Sequence, residues 1–322
     1  MKTDNPILFV EIDYSNYIFV SGVLDENQNF KVIKKIIVPN EDIHKNKFIN
    51  IEQAQKIIKK NVQLLEDKLD YVFKEVTVIL DNFDYSSVNI SGSKKLNGSQ
   101  VLKENISYIL NYLKLAVTED VKEKSILHIF NSKSILDGMR IENLPIGLFG
   151  DFYSHELAFF LIKNNDLKNI KQIFSKNNLY VKKILIKDFI EGTEIINTSE
   201  STDTFFKINI YKDSSSISYF ENASFKFIDN FNFGSNIILK DICKVCSIKC
   251  ETIENILSDN IFKDRDFKEN ELLEEKYFIK ENYRKIRKKL IIEIVNARIE
   301  EIVNIIFKKN INIVSFKKRF PV

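Results

Sequence analysis

The hydrophobic and polar positions between Ile7 and Leu80 predict three strands, a helix and a further strand. The three strands are the apolar, β-rich runs Ile7–Ile12, Tyr17–Leu24 and Phe30–Val38. Five polar residues, Asp25 to Asn29, separate the second run from the third, which is typical of a hairpin loop. Apolar residues then recur at helical spacing over Ile51–Phe73, and Glu75–Leu80 is again an apolar strand. This order predicts an α/β fold.

The strand order is interrupted after Leu80. Residues 84–158 contain a strand and then three clear patterns: a helix at Val101–Lys114 and strands around Ile126–Leu136 and Tyr153–Ile162. Two elements then resume the first domain, the amphipathic helix Asp166–Lys176 and the strand Val181–Phe189. We therefore predict a separate small α/β lobe over residues 84–158, inserted into a first domain that is split into 1–83 and 159–198.

The polar run Asn197–Asp203 predicts a linker to a second set of elements. Its strands are predicted at Phe205–Ile210, Ser216–Phe220 and Phe225–Phe231. A helix at Ile237–Cys246, a charged region at Asp259–Glu281 and a long helix at Lys285–Lys309 follow. Because the three strands repeat the hairpin arrangement of the N-terminus, we predict a duplicated ribonuclease-H-like fold, the core shared by actins, Hsp70 chaperones and sugar kinases.

Composition narrows the function classes. The chain has 322 residues, of which 44% are hydrophobic, and this length and content suit two domains. Lys and Arg number 48 and Asp and Glu number 45, so the net charge of +3 gives no reason to expect a nucleic-acid partner. Three cysteines predict a reducing, cytoplasmic setting. The sequence contains neither a secretory leader nor an apolar run of about 18 residues, so we expect no membrane span.

The cysteines Cys243, Cys246 and Cys250 have a metal-like spacing, but these positions also fall on one face of a helix. A zinc site needs a fourth ligand, and no further cysteine or nearby histidine supplies it. We therefore predict buried core thiols and no metal site.

No catalytic residue is predicted. The three histidines, His44, His128 and His155, are dispersed, and no Ser-His-Asp or Cys-His arrangement is present. Asp81, Asp84 and Glu11 could suggest a ribonuclease-H-like nuclease with paired metal-binding carboxylates, but the partner acids of such a site are missing.

The segment His128–Gly150, HIFNSKSILDGMRIENLPIGLFG, is predicted to have the most constrained backbone. Pro145 fixes φ, and Gly147 and Gly150 permit positive φ, so the segment contains a rigid, sharply turned connection. The gapless spacing from His128 to Asp137 and then to Pro145 resembles that of the bacterial cell-division actin homologue FtsA. In that family a strand opening with His is followed by an Asp and then by the turn N-P-V/I-G-L/M-x-G.

The resemblance implies an actin-type fold in which an FtsA-type subdomain, 1C, is inserted in place of actin's 1B. The implied subdomains are 1A at 1–83 and 159–198, 1C at 84–158, 2A at 203–258 and 2B at 259–322. The helix Lys285–Lys309 resembles the 2B helix of the family, with Glu293–Val295 and Arg298–Ile302 supplying its E-V-I and R-x-x-E-L elements. In the family the chain continues into further strands of 2A and a membrane helix, so we expect the second half to be incomplete at the C-terminus. Either Ile313–Phe316 is the adenosine-side strand, with lysines in place of its glycines, or the chain stops before it.

In this superfamily ATP lies between the two halves, and its phosphates are cradled by two glycine-rich turns. The positions that correspond to the first turn here are Glu11, Asp13, Tyr14, Ser15 and Asn16. Those of the second turn are Asn209, Tyr211, Lys212, Asp213, Ser214 and Ser216, and a later element keeps Gly234, Ser235 and Asn236. Side chains at the glycine positions obstruct the approach of phosphate to backbone N–H groups, and added carboxylates repel it. We predict a degenerate nucleotide site without ATP or Mg²⁺.

The resemblance implies a division protein that recruits the tubulin homologue FtsZ at the inner face of the membrane. The FtsZ C-terminal tail would dock on 2B at Arg298, and self-association would use 1C, beside contacts with other division proteins. Two alternatives stay open: an ATP-binding, polymerising actin-like ATPase, and an actin-fold pilus assembly scaffold similar to PilM.

Overall fold

A computed structural model describes most of the chain. The described residues are 5–13, 15–27, 29–40, 43–44, 47–81, 83–199, 202–258, 270–308, 310 and 313. The chain divides into two compact units. The first comprises Met1–Ile208 and Ser216–Asn230, and the second comprises Asn209–Ser215 and Phe231–Val322.

The fold is α/β, as predicted. In chain order the elements are β1 (Ile7–Ile12), β2 (Asn16–Leu24), β3 (Phe30–Pro39), β4 (Ile43–His44), β5 (Lys47–Phe48), α1 (Ile51–Leu69), β6 (Glu75–Leu80), β7 (Tyr85–Lys95), α2 (Lys103–Asp120), β8 (Lys124–Leu136), β9 (Met139–Ile141), β10 (Phe152–Lys163), α3 (Asn164–Ser175), β11 (Tyr180–Ile186), α4 (Lys187–Thr198), β12 (Phe205–Ile210), β13 (Ser215–Glu221), β14 (Ser224–Phe231), α5 (Ser235–Cys246), α6 (Cys250–Ser258) and α7 (Lys288–Val303). A 3-10 turn, Glu275–Tyr277, precedes α7, and a π-helical turn, Asn304–Lys308, follows it.

The first sheet has the strand order β11-β6-β1-β2-β3. β1 pairs antiparallel with β2 and parallel with β6, and β6 pairs parallel with β11. Along β1, Leu8, Val10 and Ile12 are fully buried while the residues between them are partly exposed, so one face of this strand belongs to the core. This is the ribonuclease-H-like order predicted from the first strands and helix.

Helix α1 ends four residues before the predicted boundary at Phe73. Its first turn is capped by Asn50, whose side chain accepts a hydrogen bond from the backbone N–H of Gln53 at 3.0 Å. It stops after Leu69 because Asp70 adopts a left-handed conformation with φ 48°.

Residues of the predicted inserted lobe form an antiparallel sheet with the strand order β7-β10-β8-β9. Helix α2 packs on this sheet, with Ile109, Leu113 and Val117 in a core shared with β10. The helix approaches β7 closely at Gly92, where any Cβ would collide with Ile109. The helix continues to Asp120 and is thus longer than the predicted Val101–Lys114.

The turn that carries the FtsA-like spacing is fastened to the start of α2. The N–H of Val101 donates to Leu148 O at 2.8 Å, and the N–H of Gly147 donates to Val101 O at 2.9 Å. Gly147 has φ 87°, the conformation for which its glycine was predicted to be needed. The Asp137 carboxylate accepts the N–H of Phe152 at 2.7 Å, so it ties the turn to β10.

The strand predicted at Val181–Phe189 is too long. β11 ends at Ile186, and helix α4 begins at Lys187. Gly192 of this helix lies against the ring of Phe220, which leaves no room for a side chain there. The predicted linker Asn197–Asp203 therefore begins inside α4, which ends at Thr198.

The three strands of the second hairpin set form a sheet in the order β12-β13-β14. An aromatic stack joins this sheet to the core of the first unit. Ring centroids are 4.9 Å apart for Phe205 and Phe220, 4.7 Å for Phe220 and Phe225, and 4.2 Å for Phe225 and Phe160 of β10. The first unit accordingly includes residues 216–230, which lie within the predicted subdomain 2A.

In the second unit, the cysteine prediction holds for one residue of three. Helix α5 ends at Cys246 because Ser247 is left-handed, with φ 52°, so Cys250 begins a different helix. Cys243 and Cys250 form a disulfide with a Cα–Cα distance of 5.4 Å, and Cys250 is exposed. Cys246 is free and buried.

Several predictions fall on residues outside the described ones. They concern Tyr14, the first 11 residues of the charged region Asp259–Glu281, and the C-terminal segment Ile313–Phe316 apart from Ile313. No helix in the described part of the chain combines the length and the hydropathy that crossing a membrane requires.

In the lobe, Nε2 of His128 and both ring nitrogens of His155 are buried and have no hydrogen-bond partner among the described residues. Burial lowers the pKa of His128 from 6.5 to about 4, and it also lowers the pKa of His155. Because the unfolded chain then binds more protons than the folded one, the stability that rests on neutral histidine is complete above pH 6.5 and is lost as the pH falls below it.

We predict that acidification opens the lobe and that His155→Leu reduces this effect. The loss is at most about 1.4 kcal/mol per pH unit for each histidine. Hydrogen exchange of the β10 amides at pH 7.5, 6 and 5 measures it, with His128→Leu as the second variant. If both variants keep the pH dependence of the parent protein, the two histidines are not its cause.

Candidate functional site

Three charged side chains meet at the carboxyl ends of the parallel strands β1, β6 and β11. Glu11 is the second-last residue of β1, Asp81 directly follows β6, and Lys187 directly follows β11. Because neighbouring parallel strands end at the same edge of a sheet, these side chains converge. Lys187 Nζ lies 2.6 Å from Glu11 Oε1 and 3.0 Å from Asp81 Oδ2.

The bridge is largely removed from water. The exposed fractions of the side chains are 27% for Lys187, 18% for Glu11 and 6% for Asp81. Burial by itself lowers the pKa of Lys187, but the hydrogen bonds and charges of Glu11 and Asp81 outweigh burial and raise this pKa well above its ordinary value. Lys187 is therefore a fixed ammonium ion between two carboxylates.

A second lysine extends the network along helix α4. Lys207 Nζ is 3.0 Å from Asp188 Oδ1 and also bonds the Glu191 carboxylate. Burial raises the pKa of Asp188, and the ammonium of Lys207 partly opposes this rise. The hydroxyl of Ser218 in β13 donates to the same Asp188 oxygen at 3.3 Å. The two lysines thus face four carboxylates, those of Glu11, Asp81, Asp188 and Glu191, so the site has a negative balance.

The first phosphate-type turn is closed by its own side chain. The Asp13 carboxylate accepts the backbone N–H of Ser15 and, at 2.6 Å, that of Asn16. The Asn40 side-chain amide donates to Asp13 O at 2.6 Å and holds the turn from the end of β3. In a glycine turn these N–H groups would point to phosphate oxygens. Here a carboxylate of the protein already takes them.

The same turn brings three carboxylates together. Ligand oxygens of Glu11, Asp13 and Asp81 all lie within 4.8 Å of one another, an arrangement that could hold a divalent cation. Lys187 bonds two of the three. Its ammonium supplies the positive charge that a cation would otherwise bring, and it leaves only Asp13 outside the bridge.

The second turn is closed by the helix that follows it. The backbone N–H groups of Ser235 and Asn236, at the start of α5, donate to Tyr211 O and Lys212 O, both at 2.8 Å. The side-chain amide of Asn236 donates to Asp213 Oδ1 at 2.9 Å. Gly234 is required here, because a Cβ would collide with Tyr211 O. The N–H groups at this helix N-terminus therefore bind carbonyls of the protein.

The predicted site residues form two groups. Glu11, Asp13, Ser15 and Asn16 belong to the first unit, and Asn209, Tyr211–Ser214 and Gly234–Asn236 to the second. Ser216 lies in β13, buried, and its hydroxyl has no hydrogen-bond partner within the described residues. Arg298, on α7, bonds the carboxylates of Asp241 in α5 and Glu301.

Sequence reasoning missed Lys187, Asp188 and Lys207. The usable signal for Lys187 is its place directly after a strand end that lies beside those of Glu11 and Asp81 in the sheet. The signal was obscured because the predicted strand ran past Ile186 to Phe189.

Comparison with known proteins supports the fold. No family model and no curated protein matches the sequence. Among solved structures, a chain of the PilM-PilN type IV pilus biogenesis complex matches with a TM-score of 0.53 and 11% identity, over 80% of this chain and 71% of that one. The ethanolamine utilization protein EutJ from Carboxydothermus hydrogenoformans matches with a TM-score of 0.43 and 9% identity, over 94% and 70%. The cytoplasmic domain of EpsL from the Vibrio cholerae type II secretion system matches with a TM-score of 0.33 and 11% identity, over 73% of each chain.

The chain has an actin-type fold. At 11% identity the likeness to PilM-PilN shows the fold alone. The resemblance to FtsA therefore rests on the His128–Gly150 spacing.

We predict that Mg-ATP does not raise the melting temperature of the protein. Saturation at about 100 Kd would add roughly 2.7 kcal/mol to the free energy of unfolding, but both phosphate turns are closed and the carboxylates already bind Lys187. A clear rise with millimolar Mg-ATP would contradict the degenerate-site prediction.

The variant Lys187→Met tests whether Lys187 takes the place of Mg²⁺ beside Glu11 and Asp81. It leaves Glu11 and Asp81 without their cation, which should cost roughly 3 kcal/mol of stability, and added Mg²⁺ should restore part of it. The matched control is Lys182→Met, because Lys182 pairs with Glu75 at an exposed site, with side-chain exposures of 57% and 50%. Its loss should have little effect on the stability of the protein. Equal effects of the two substitutions would show that the bridge does not stabilise the strand ends.

Proposed function

We propose that the chain is an FtsA-like actin-fold division protein that recruits FtsZ by protein–protein binding and does not turn over ATP. The observation that carries the proposal is the Lys187 bridge. A lysine held between the carboxylates of Glu11 and Asp81 satisfies the charges that would position Mg²⁺ in a working nucleotide site. A protein that keeps the actin-type fold without a working nucleotide site would act through the surfaces that the fold presents to other proteins.

The surface of the lobe supports a protein-binding role. The turn that carries the FtsA-like spacing exposes apolar side chains, with 70% of Phe149, 49% of Leu148, 44% of Ile146 and 48% of Phe152 accessible. Backbone hydrogen bonds to Val101 hold the turn in place, so these side chains are presented by a fixed backbone. Exposed apolar groups concentrated on one short segment are typical of an interaction site. Self-association through 1C is the proposed use.

Self-association predicts that Phe149→Ser lowers the average mass in sedimentation experiments at equal concentration. The matched control is Leu64→Ser, because Leu64 is 40% exposed on helix α1, away from the lobe sheet. If both variants sediment like the parent protein, the apolar turn is not a self-association surface.

The proposed FtsZ contact is at Arg298. Its guanidinium already bonds the carboxylates of Asp241 and Glu301, and 22% of the side chain is exposed. An acidic tail would therefore have to compete with Asp241 or share the guanidinium with it. Charge reversal at Arg298 alone would disturb both the internal pair and the tail contact.

We predict that Arg298→Asp weakens binding of a synthetic FtsZ tail by roughly 1–3 kcal/mol, as expected for a desolvated ion pair. Fluorescence anisotropy of a labelled tail peptide measures the change.

The control exchanges the partners, with Asp241→Arg combined with Arg298→Asp. This pair restores the internal ion pair but moves the positive charge to α5. If the exchanged protein binds the tail as well as the parent, Arg298 acts within the second unit and does not contact FtsZ. A parent protein that does not bind the tail at all would contradict the proposed FtsZ contact.

A further inference from the structure

Strand β3 forms an open edge of the first sheet. In the order β11-β6-β1-β2-β3 it pairs with β2 alone, and no other strand of the described residues pairs with it. An edge strand presents unpaired backbone N–H and C=O groups that can pair with an additional strand.

Two features limit the usable edge to residues 34–38. The register of β3 against β2 shifts between Ser21 and Gly22, which leaves Ile33 as the extra residue of a β-bulge. At the other end, Pro39 has no N–H to donate. The regular stretch between these limits is Lys34-Lys35-Ile36-Ile37-Val38.

The side chains of this stretch are divided between the two faces of the sheet. Ile36 and Val38 stand opposite Phe19 and Tyr17 and pack against the core. Lys35 and Ile37 are on the other face, where 56% of Ile37 is exposed. An added strand would therefore meet two lysines at one end and three apolar side chains at the other.

Among the described residues, no acidic side chain pairs with the lysines of β3. No carboxylate oxygen of the described residues lies within 4.0 Å of the ammonium groups of Lys31, Lys34 or Lys35, and the whole of β3 contains no acidic residue. Two copies of β3 paired together would place four ammonium groups on one short ladder with no carboxylate opposite them. This arrangement disfavours self-pairing.

We propose that the edge of β3 binds an extended acidic segment of another protein, which adds to the sheet as a sixth strand. In the antiparallel direction, which is the more stable pairing, the segment carries three apolar residues followed by two acidic ones. The acids lie beside Lys35 and Lys34, and the apolar residues lie beside Val38, Ile37 and Ile36. This inference does not depend on FtsZ or on Arg298.

The test uses a labelled, end-capped peptide with the sequence Thr-Val-Ile-Val-Glu-Glu-Thr and the full chain. Binding is expected by fluorescence anisotropy, and the double variant Lys34→Glu with Lys35→Glu is expected to bind about three- to tenfold more weakly, since cross-strand charge pairs at exposed positions are individually modest. The charge-swapped peptide Thr-Val-Ile-Val-Lys-Lys-Thr should bind this double variant better than it binds the parent protein. Circular dichroism confirms that the variant is folded, and Lys35→Glu alone provides a milder second variant.

Three results would overturn the proposal. A peptide with proline in place of its isoleucine would bind equally well if no backbone ladder formed. A charge-swapped peptide that favours the parent protein would exclude the lysines as the recognition element. A parent dimer that dissociates on Ile37→Lys would assign the edge to a second copy of this chain.

Discussion

The structure of the candidate site depends on one ammonium ion. Three parallel strands end beside one another, and two of them deliver carboxylates, Glu11 and Asp81, to a region that is largely closed to water. Two such carboxylates would repel each other and would resist burial. Lys187 removes this conflict because the chain turns from β11 into α4 at that residue. The cation that closes the strand ends is therefore part of the polypeptide.

Much of the first sheet could be predicted because its strands bury one face each. Alternation in β1 and β2 follows directly from the pleat, and it located these strands to within a residue or two. The boundary between β11 and α4 could not be predicted in the same way. The run from Ile184 to Ile190 has three apolar residues, then two polar ones and then two apolar ones, a pattern that suits either a strand or a helix. What ends the strand and starts the helix here is the pairing of Lys187 with Glu11, 176 residues earlier. The local sequence pattern contains no information on that pairing.

The segment that resembles FtsA is explained by the backbone it builds. Asp137 binds the N–H groups of Asp151 and Phe152, and Gly147 adopts a positive φ while it donates to Val101. The fixed spacing from Asp137 to the turn is thus the distance needed to fasten β8 and β10 to the start of α2. A sequence can reveal such a segment because each fixed residue has a backbone role. The side chains of Phe149 and Phe152 take no part in these backbone contacts, and only the structure shows that they are exposed.

Lysine content by itself therefore says little about function in this chain. The 48 basic residues nearly balance the acidic ones, but individual lysines differ in what surrounds them. Lys226 is 2% exposed and donates to Ser132, the bulged residue of β8, so it replaces a missing strand contact inside the first unit. Lys187 replaces a cation between strand ends. Lys34 and Lys35 have no carboxylate within the described residues and lie on an open strand edge. A buried lysine needs a partner within the folded protein. A lysine on an open strand edge can select what binds there, so only this second kind indicates a binding partner.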